Sequence, residues 1–366
     1  MSAPISPETV VLPRFDVRVR RVEGSFLVGF AQATYSLSES GAFLWYRIDG
    51  RRTVSQLAEL LAVEYDVDRA TALADTVEVV TEWHSADLIR TTPSRTRSRL
   101  TGVAGSVPAV DPATVRAALA DNGLIPEPCS AVLLAGSVAR GWQHARSDAD
   151  LYVTSEDPWT GTSDGFNPVA LVPDRVPTAT CYAGDLRLEV RYWTEDQVNQ
   201  MFDKVTWARF KETDNTGELL SEYEITFLGR LIDPIVLHGA DWLGRRREEL
   251  DASAYRSMLT LRALNDADSL VEDTLGLLES GDVPAAVLAS QAALASAADA
   301  LSYRDRQYGT EEKWRARRVA AIDVAALPFD RYWALVTMRD FDPSEPERWV
   351  ESVLELCRTV AMEVEV

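Results

Sequence analysis

The sequence predicts an α+β protein, and three observations predict it. Phe15, Val17 and Val19 alternate with Asp16, Arg18 and Arg20 as in a half-buried strand, and three helical runs follow. The middle of the chain sets short apolar strand patterns among turns and short helices. From Asp251 onward the apolar spacing is helical. The amino-terminal stretch therefore reads as a small winged-helix-like domain of strands plus three helices, and the carboxy-terminal stretch as a helical domain.

Residues 9–91 form the first domain. A second strand over residues 25–34 follows the Glu23-Gly24 turn. Residues 40–48 give a short helix, and Thr53 caps another that runs to Tyr65 and ends at Asp66-Val67-Asp68. Leu73, Val77, Val80 and Trp83 mark one face of a third. Residues 92–110 are polar and basic, without apolar spacing, and read as a flexible linker. Asp111-Pro112 then opens a helix to Asp121, proline suiting the first turn.

The chemistry concentrates in the next stretch. Residues 131–134 read as a buried strand that breaks at Gly136-Ser137, where a short helix begins. Backbone N–H groups at a helix start are unpaired and the dipole is positive there. Gly136 permits close approach of a phosphate, Ser137 adds a hydroxyl, and Arg140 lies one turn on. Residues 148–153 alternate as a strand, which puts Asp148 and Asp150 on one face and Ala149, Leu151 and Val153 on the other. Adjacent carboxylates repel, and a hard divalent cation relieves the repulsion. Mg2+ is typically held by one or two carboxylates together with substrate phosphates, which points to phosphoryl or nucleotidyl transfer. Trp142, between the two motifs, reads as a packing residue, and His144 as a surface-loop histidine.

Residues 154–178, rich in Pro, Gly, Ser and Asp, read as a long loop, either a lid or a disordered segment. Residues 186–193 alternate again, with Leu188, Val190 and Tyr192 inward and Arg187, Glu189 and Arg191 on the opposite face. Thr194 to Gln197 matches a capping box and starts a helix toward Val205; a helix over 218–232 and an edge strand over 234–239 follow. Leu261, Leu264, Ala267, Val271, Leu275 and Leu278 keep helical spacing, Gly281-Asp282 breaks it, and an alanine-rich helix spans 283–301.

Gly136-Ser137, then residues 138–147, then Asp148-x-Asp150 inside an apolar strand resembles the signature of the DNA polymerase β-like nucleotidyltransferase superfamily, aminoglycoside and minimal nucleotidyltransferases included. The resemblance implies a mixed-sheet nucleotidyltransferase domain over 111–248 and a helical domain over 249–366 that covers the cleft. It implies Mg2+, with Mn2+ as the alternative, held by Asp148, Asp150 and a third carboxylate. Glu189 is that third acid, as ligand or general base, with Asp185 in the Gly184-Asp185 turn as the weaker candidate. A nucleoside triphosphate would be the co-substrate, contacted by Gly136, Ser137, Arg140 and Lys313. Lys313-Trp314-Arg315 resembles a basic-aromatic element of such helical domains, although a solvated, charged helix face reads equally well.

Tyr35 to Trp45, then Ile48-Asp49-Gly50 and Thr53-Val54, resembles the family of the pyrroloquinoline-quinone synthesis protein D, the leader-recognition fold of ribosomally made, modified peptides. That resemblance implies a leader peptide added as a strand to an exposed sheet edge against the third helix. Phe26, Val28, Phe30, Val77, Val80 and Trp83 would line the groove. A winged-helix DNA binder shares this element order, but the chain carries a net charge of -20 and a pI near 4.6, which argues against gripping nucleic acid by its phosphates.

Cys129, Cys181 and Cys357 are far apart, and with His84, His144 and His238 the only histidines, neither a disulfide scaffold nor a structural zinc site is expected. The first residues have neither the basic nor the apolar segment of a signal peptide and no membrane span is expected, so the expected location is cytoplasmic. The expected activity is transfer of a nucleoside monophosphate to a ribosomally synthesised precursor peptide. The alternatives are an antibiotic- or tRNA-type nucleotidyltransferase and a non-catalytic leader-binding chaperone.

Overall fold

A computed structural model describes residues 5–14, 17–22, 25–30, 33–92, 110–212 and 219–364. The chain divides into two compact units, Met1–Gly105 and Ser106–Val366, and its class is α+β. The linker expected over 92–110 falls, but for its end residues, outside the described part.

In the first unit the order is β1 (Val10–Pro13), β2 (Arg18–Val22), β3 (Ser25–Phe30), β4 (Ala33–Leu37), α1 (Glu39–Trp45), α2 (Val54–Tyr65), α3 (Arg69–Ser85) and β5 (Ile89–Thr92). Strands β2, β3 and β4 form an antiparallel sheet with β3 central, and β1 pairs with β5. Side chains start each helix. Ser38 Oγ accepts the Gly41 N–H at 3.0 Å, Thr53 and Gln56 form a full capping box, and the Asp68 carboxylate accepts two N–H groups of α3.

Two expectations change here. The single strand expected over 25–34 is a hairpin, with Phe26 opposite Leu37 and Phe30 opposite Ala33. Alternation runs on through a tight reversal, so periodicity cannot see the turn. The expected peptide groove is also different. Phe26, Val28, Val80 and Trp83 are buried in the unit's own core with Leu44, Leu57 and Leu88, and Val77 packs against that core. The side chain of Phe30 lies outside the described part. An inward strand face builds the core, and β3, paired on both sides, has no edge to offer. Among the described residues the open edges belong to β2 and β4, and Ala33, Thr34, Tyr35 and Ser36 of β4 are exposed.

The second unit begins with α4 (Pro112–Asp121), β6 (Ala131–Ala135), α5 (Gly136–Ala139), β7 (Ala149–Ser155), β8 (Gly165–Pro168), β9 (Arg175–Ala183) and β10 (Leu186–Thr194). Then come α6 (Glu195–Lys204), α7 (Trp207–Glu212), α8 (Glu222–Arg230), β11 (Ile235–His238) and α9 (Ala240–Ala252). The helical part is α10 (Tyr255–Glu279), α11 (Val283–Arg304), α12 (Arg315–Ile322), α13 (Phe329–Val336) and α14 (Pro346–Glu363). The strands form one sheet in the order β11-β6-β7-β10-β9-β8, in which β7 and β10 are the parallel pair.

The segment expected as a lid or disordered loop over 154–178 contains strand β8 and the start of β9. Strand β8 pairs with β9, Trp159 stacks on Tyr192 at 4.2 Å with planes 2° apart, and its indole N–H donates to the Thr162 carbonyl. Tyr192 is distant from Trp159 in sequence, so local composition could not reveal that stack. One continuous core runs from the sheet into the helices, joining Trp193, Phe202 and Phe227 to Tyr255, Met258 and Tyr303 across position 248. Among the described residues α11 is the one helix long and apolar enough to cross a membrane, and half of its apolar window is buried. Its alanines pack with Trp349, Val350 and Val353 of α14.

Candidate active site

Strand β6 is buried at every position and delivers the chain to Gly136 at its end. Gly136 has φ +76, and a Cβ there would collide with Asp150 Oδ2 and come within 3.2 Å of Asp150 Cγ. The glycine therefore lets a carboxylate lie against the first residue of α5. Asp150 stands opposite Ala135 on one side and level with Glu189 on the other. Asp185, the weaker candidate, sits exposed in the turn between β9 and β10 and is not level with Asp150.

Asp148, Asp150 and Glu189 come together with two arginines. Arg191 Nη1 donates to Asp150 Oδ1 at 2.9 Å and its Nη2 lies 3.3 Å from Glu189 Oε2, while Arg187 Nη2 is 2.7 Å from Glu189 Oε1. Burial and then the Asp148 charge push the Glu189 carboxyl above its ordinary range, outweighing Arg187 and Arg191. Among the described residues Asp148 has no ion pair, and no trio of His, Cys, Asp or Glu is arranged as a ready-made metal cage. The oxygens of Glu189, expected as third ligand or general base, are held by guanidinium groups. Asp148 and Asp150, beside a glycine cradle, could hold a hard cation completed by substrate phosphates, which is how Mg2+ is usually bound.

The Glu189 shift sets a pH dependence. An acid whose folded-state pKa is raised binds its proton more tightly in the native chain, so stability falls as pH rises from the ordinary value of 4.5 through the raised one. Glu189→Gln removes that loss. Relative to the parent, the melting temperature of the variant is expected to climb as pH rises through that window, measured by thermal denaturation from acid to neutral buffers.

Ser137 is half-buried in α5, and its carbonyl accepts the Trp142 N–H at 2.8 Å after the turn at Gly141. Arg140, expected on phosphate, donates instead to Asp233 Oδ2 at 2.7 Å and is 7% exposed, with its guanidinium 5.0 Å from the Trp142 ring. Lys313 stands in a 3-10 turn, Glu312–Trp314, and its ammonium is 5.4 Å from the Trp314 ring. The Trp314 ring lies 5.8 Å from that of Trp142, so this turn meets the α5 loop.

That meeting is built by residues the sequence did not single out. Arg230 Nη2 holds Glu311 Oε1 at 2.6 Å, and its charge acts on Tyr152, two positions along β7 from Asp150. The fully buried Arg318 donates to the Glu311 carbonyl and to Asp299, which also holds Arg315 at 2.9 Å. Arg317 projects the other way, 5.1 Å from the Trp314 ring and 5.9 Å from that of Trp142. Helical spacing offers one signal for it, since Arg317 falls one turn beyond Trp314.

Comparison with known proteins gives two likenesses. Residues 22–89 match the family model described as Coenzyme PQQ synthesis protein D (PqqD). Among solved structures, a nucleotidyltransferase-like protein from Exiguobacterium sibiricum 255-15 is similar over 69% of this chain and 74% of that one, at 11% identity and a TM-score of 0.39. No curated protein matches the chain.

Proposed function

We propose that this chain is a metal-dependent nucleotidyltransferase that moves a nucleoside monophosphate from a nucleoside triphosphate to a precursor peptide recruited through its leader, with pyrophosphate as the leaving group. The observation that carries the transferase half is the acid cluster of Asp148, Asp150 and Glu189, in which Asp150 lies against Gly136 where α5 begins. The match of residues 22–89 to the PqqD model supports the leader-recognition half.

Asp148 and Asp150 hold Mg2+, or Mn2+, which supplies charge neutralisation along the triphosphate and at the transferring phosphorus. The N–H groups of Gly136 and Ser137 bind phosphate oxygen, and Lys313 adds a cation from the helical side. Glu189, its proton affinity raised by burial and by Asp148, takes the proton of the attacking group, and Arg187 and Arg191 keep its oxygens aimed. Arg140 fixes the α5 loop through Asp233.

In the first unit the open edge of β4 accepts the leader as an added strand. Phe26, Val28, Val80 and Trp83 hold that sheet and α3 in place from within. Carrying both functions on one chain raises the effective concentration of the core peptide at the acid site. The nucleotide supply places the reaction in the cytoplasm.

Incubation with labelled nucleoside triphosphates, Mg2+ and candidate precursor peptides tests the proposal. Label is expected on peptides that carry a leader and not on the same peptides without one. Label on aminoglycosides or tRNA instead would replace the peptide acceptor by a small molecule or RNA. Tight leader binding without transfer to any acceptor would leave a leader-binding chaperone.

A further inference from the structure

The surface where the Glu312–Trp314 turn meets the α5 loop is unusual for this chain. Acidic side chains outnumber basic ones, 57 to 37, and the neighbouring arginines are in ion pairs: Arg140 with Asp233, Arg230 with Glu311, and Arg315 and Arg318 sharing Asp299. Lys313 and Arg317 are exposed and have no ion pair among the described residues. Both sit on indole rings, Arg317 on Trp142 and Trp314 together. Uncommitted cations in an acidic chain attract an anion, and half-buried indoles offer a stacking face, so the matching ligand is both anionic and aromatic.

We propose that Trp142, Trp314, Arg317 and Lys313 form the nucleoside site and select a purine nucleoside triphosphate; the inference rests on the nucleotidyl-transfer reading and deepens it. Three features place the site. The Trp142 N–H is bonded to the Ser137 carbonyl, so its indole starts within one helical turn of Gly136 and the Asp150 carboxylate. Glu311 ties the Trp314 turn to Arg230, whose charge interacts with Tyr152 and Asp150 on β7. Arg318 fixes the same turn from behind through the Glu311 carbonyl. In this proposal a ligand with its base on the indoles extends its phosphates toward the acids, with Arg317 and Lys313 beside the chain of charge. Stacking grows with the overlapped ring area, and two adjacent indoles favour the larger base.

Calorimetric titration of the full chain with Mg2+ and non-transferable α,β-methylene analogues of ATP and CTP, and with inorganic tripolyphosphate, tests this. The ATP analogue is expected to bind several-fold more tightly than the CTP analogue and about tenfold more tightly than tripolyphosphate, the order of one base stacked on an aromatic ring. Trp314→Leu should cost about tenfold with the ATP analogue and leave tripolyphosphate unchanged. Trp314→Phe should retain most of the affinity, which separates stacking from loss of fold, and Arg317→Gln should weaken all three ligands. Equal binding of the two analogues and tripolyphosphate, or Trp314→Leu binding the ATP analogue like the parent, overturns the nucleoside site and leaves the transfer reading standing. Failure of the parent chain to bind any of the three ligands overturns both.

Discussion

Asparagine at both Asp148 and Asp150 is expected to lower nucleotidyl transfer by about a thousandfold or more, because a bound cation contributes several kcal/mol of charge stabilisation to such a transition state and each 1.36 kcal/mol is tenfold. Asparagine keeps the shape and still offers Arg191 an oxygen in place of Asp150 Oδ1, so the fold around β7 is retained. What is lost is the negative charge that holds the cation. Leader affinity should stay close to that of the parent, since the first unit has its own core of Val28, Leu44, Leu57 and Trp83. The two readouts are label transfer to the peptide and fluorescence anisotropy of a labelled leader. Full transfer by the double variant would remove the acid pair from the mechanism. Removing the Asp148 charge also lowers the proton affinity of Glu189, so the pH window of stability loss should narrow in this variant.

Gly136→Ala is the second large effect. An alanine at φ +76 carries backbone strain of about 1–2 kcal/mol, and its Cβ would occupy the position of Asp150 Oδ2. The carboxylate must swing away or β6 must shift. Either movement misplaces a reacting group by the order of an ångström, which costs on the order of a hundredfold in rate. Gly184 is a matched control: it also has positive φ, at +61, but a Cβ there meets nothing within 4 Å. Gly184→Ala should therefore lose stability from strain alone and keep its activity. Melting temperature and transfer rate, measured on both variants, separate the collision from the strain. Equal activities would mean that the Gly136 cradle does not position the acid.

Local signals carried much of the architecture because they depend on neighbours in sequence. The Thr194 capping box, the Asp111-Pro112 helix start and the break at Gly281 are set within a few residues, and each stands where the sequence put it; the strand expected from Asp148 begins one residue later, at Ala149. The register of β10 against β7 then brought Glu189 level with Asp150, as the alternation of β10 allowed. Errors arose at two hairpins, where composition and alternation do not mark the strand ends. Strands β8 and β9 hide in a stretch rich in turn residues, and the β3–β4 reversal hides inside continuous alternation. Apolar residues read as a peptide groove proved to be core, because a strand pattern tells which face is apolar and not what covers it.

By itself the sequence determined the α+β order of elements and the glycine at the turn beside the acids, since these follow from spacing and side-chain size. The tertiary structure alone decided which charges are spent and which are free. Arg140 is taken by Asp233 and Arg191 lies between Asp150 and Glu189, while Lys313 and Arg317 are left on a pair of indoles drawn from positions 142 and 314. Ion pairs and ring contacts act over a few ångströms between residues far apart in the chain, and only folding brings those residues within that range.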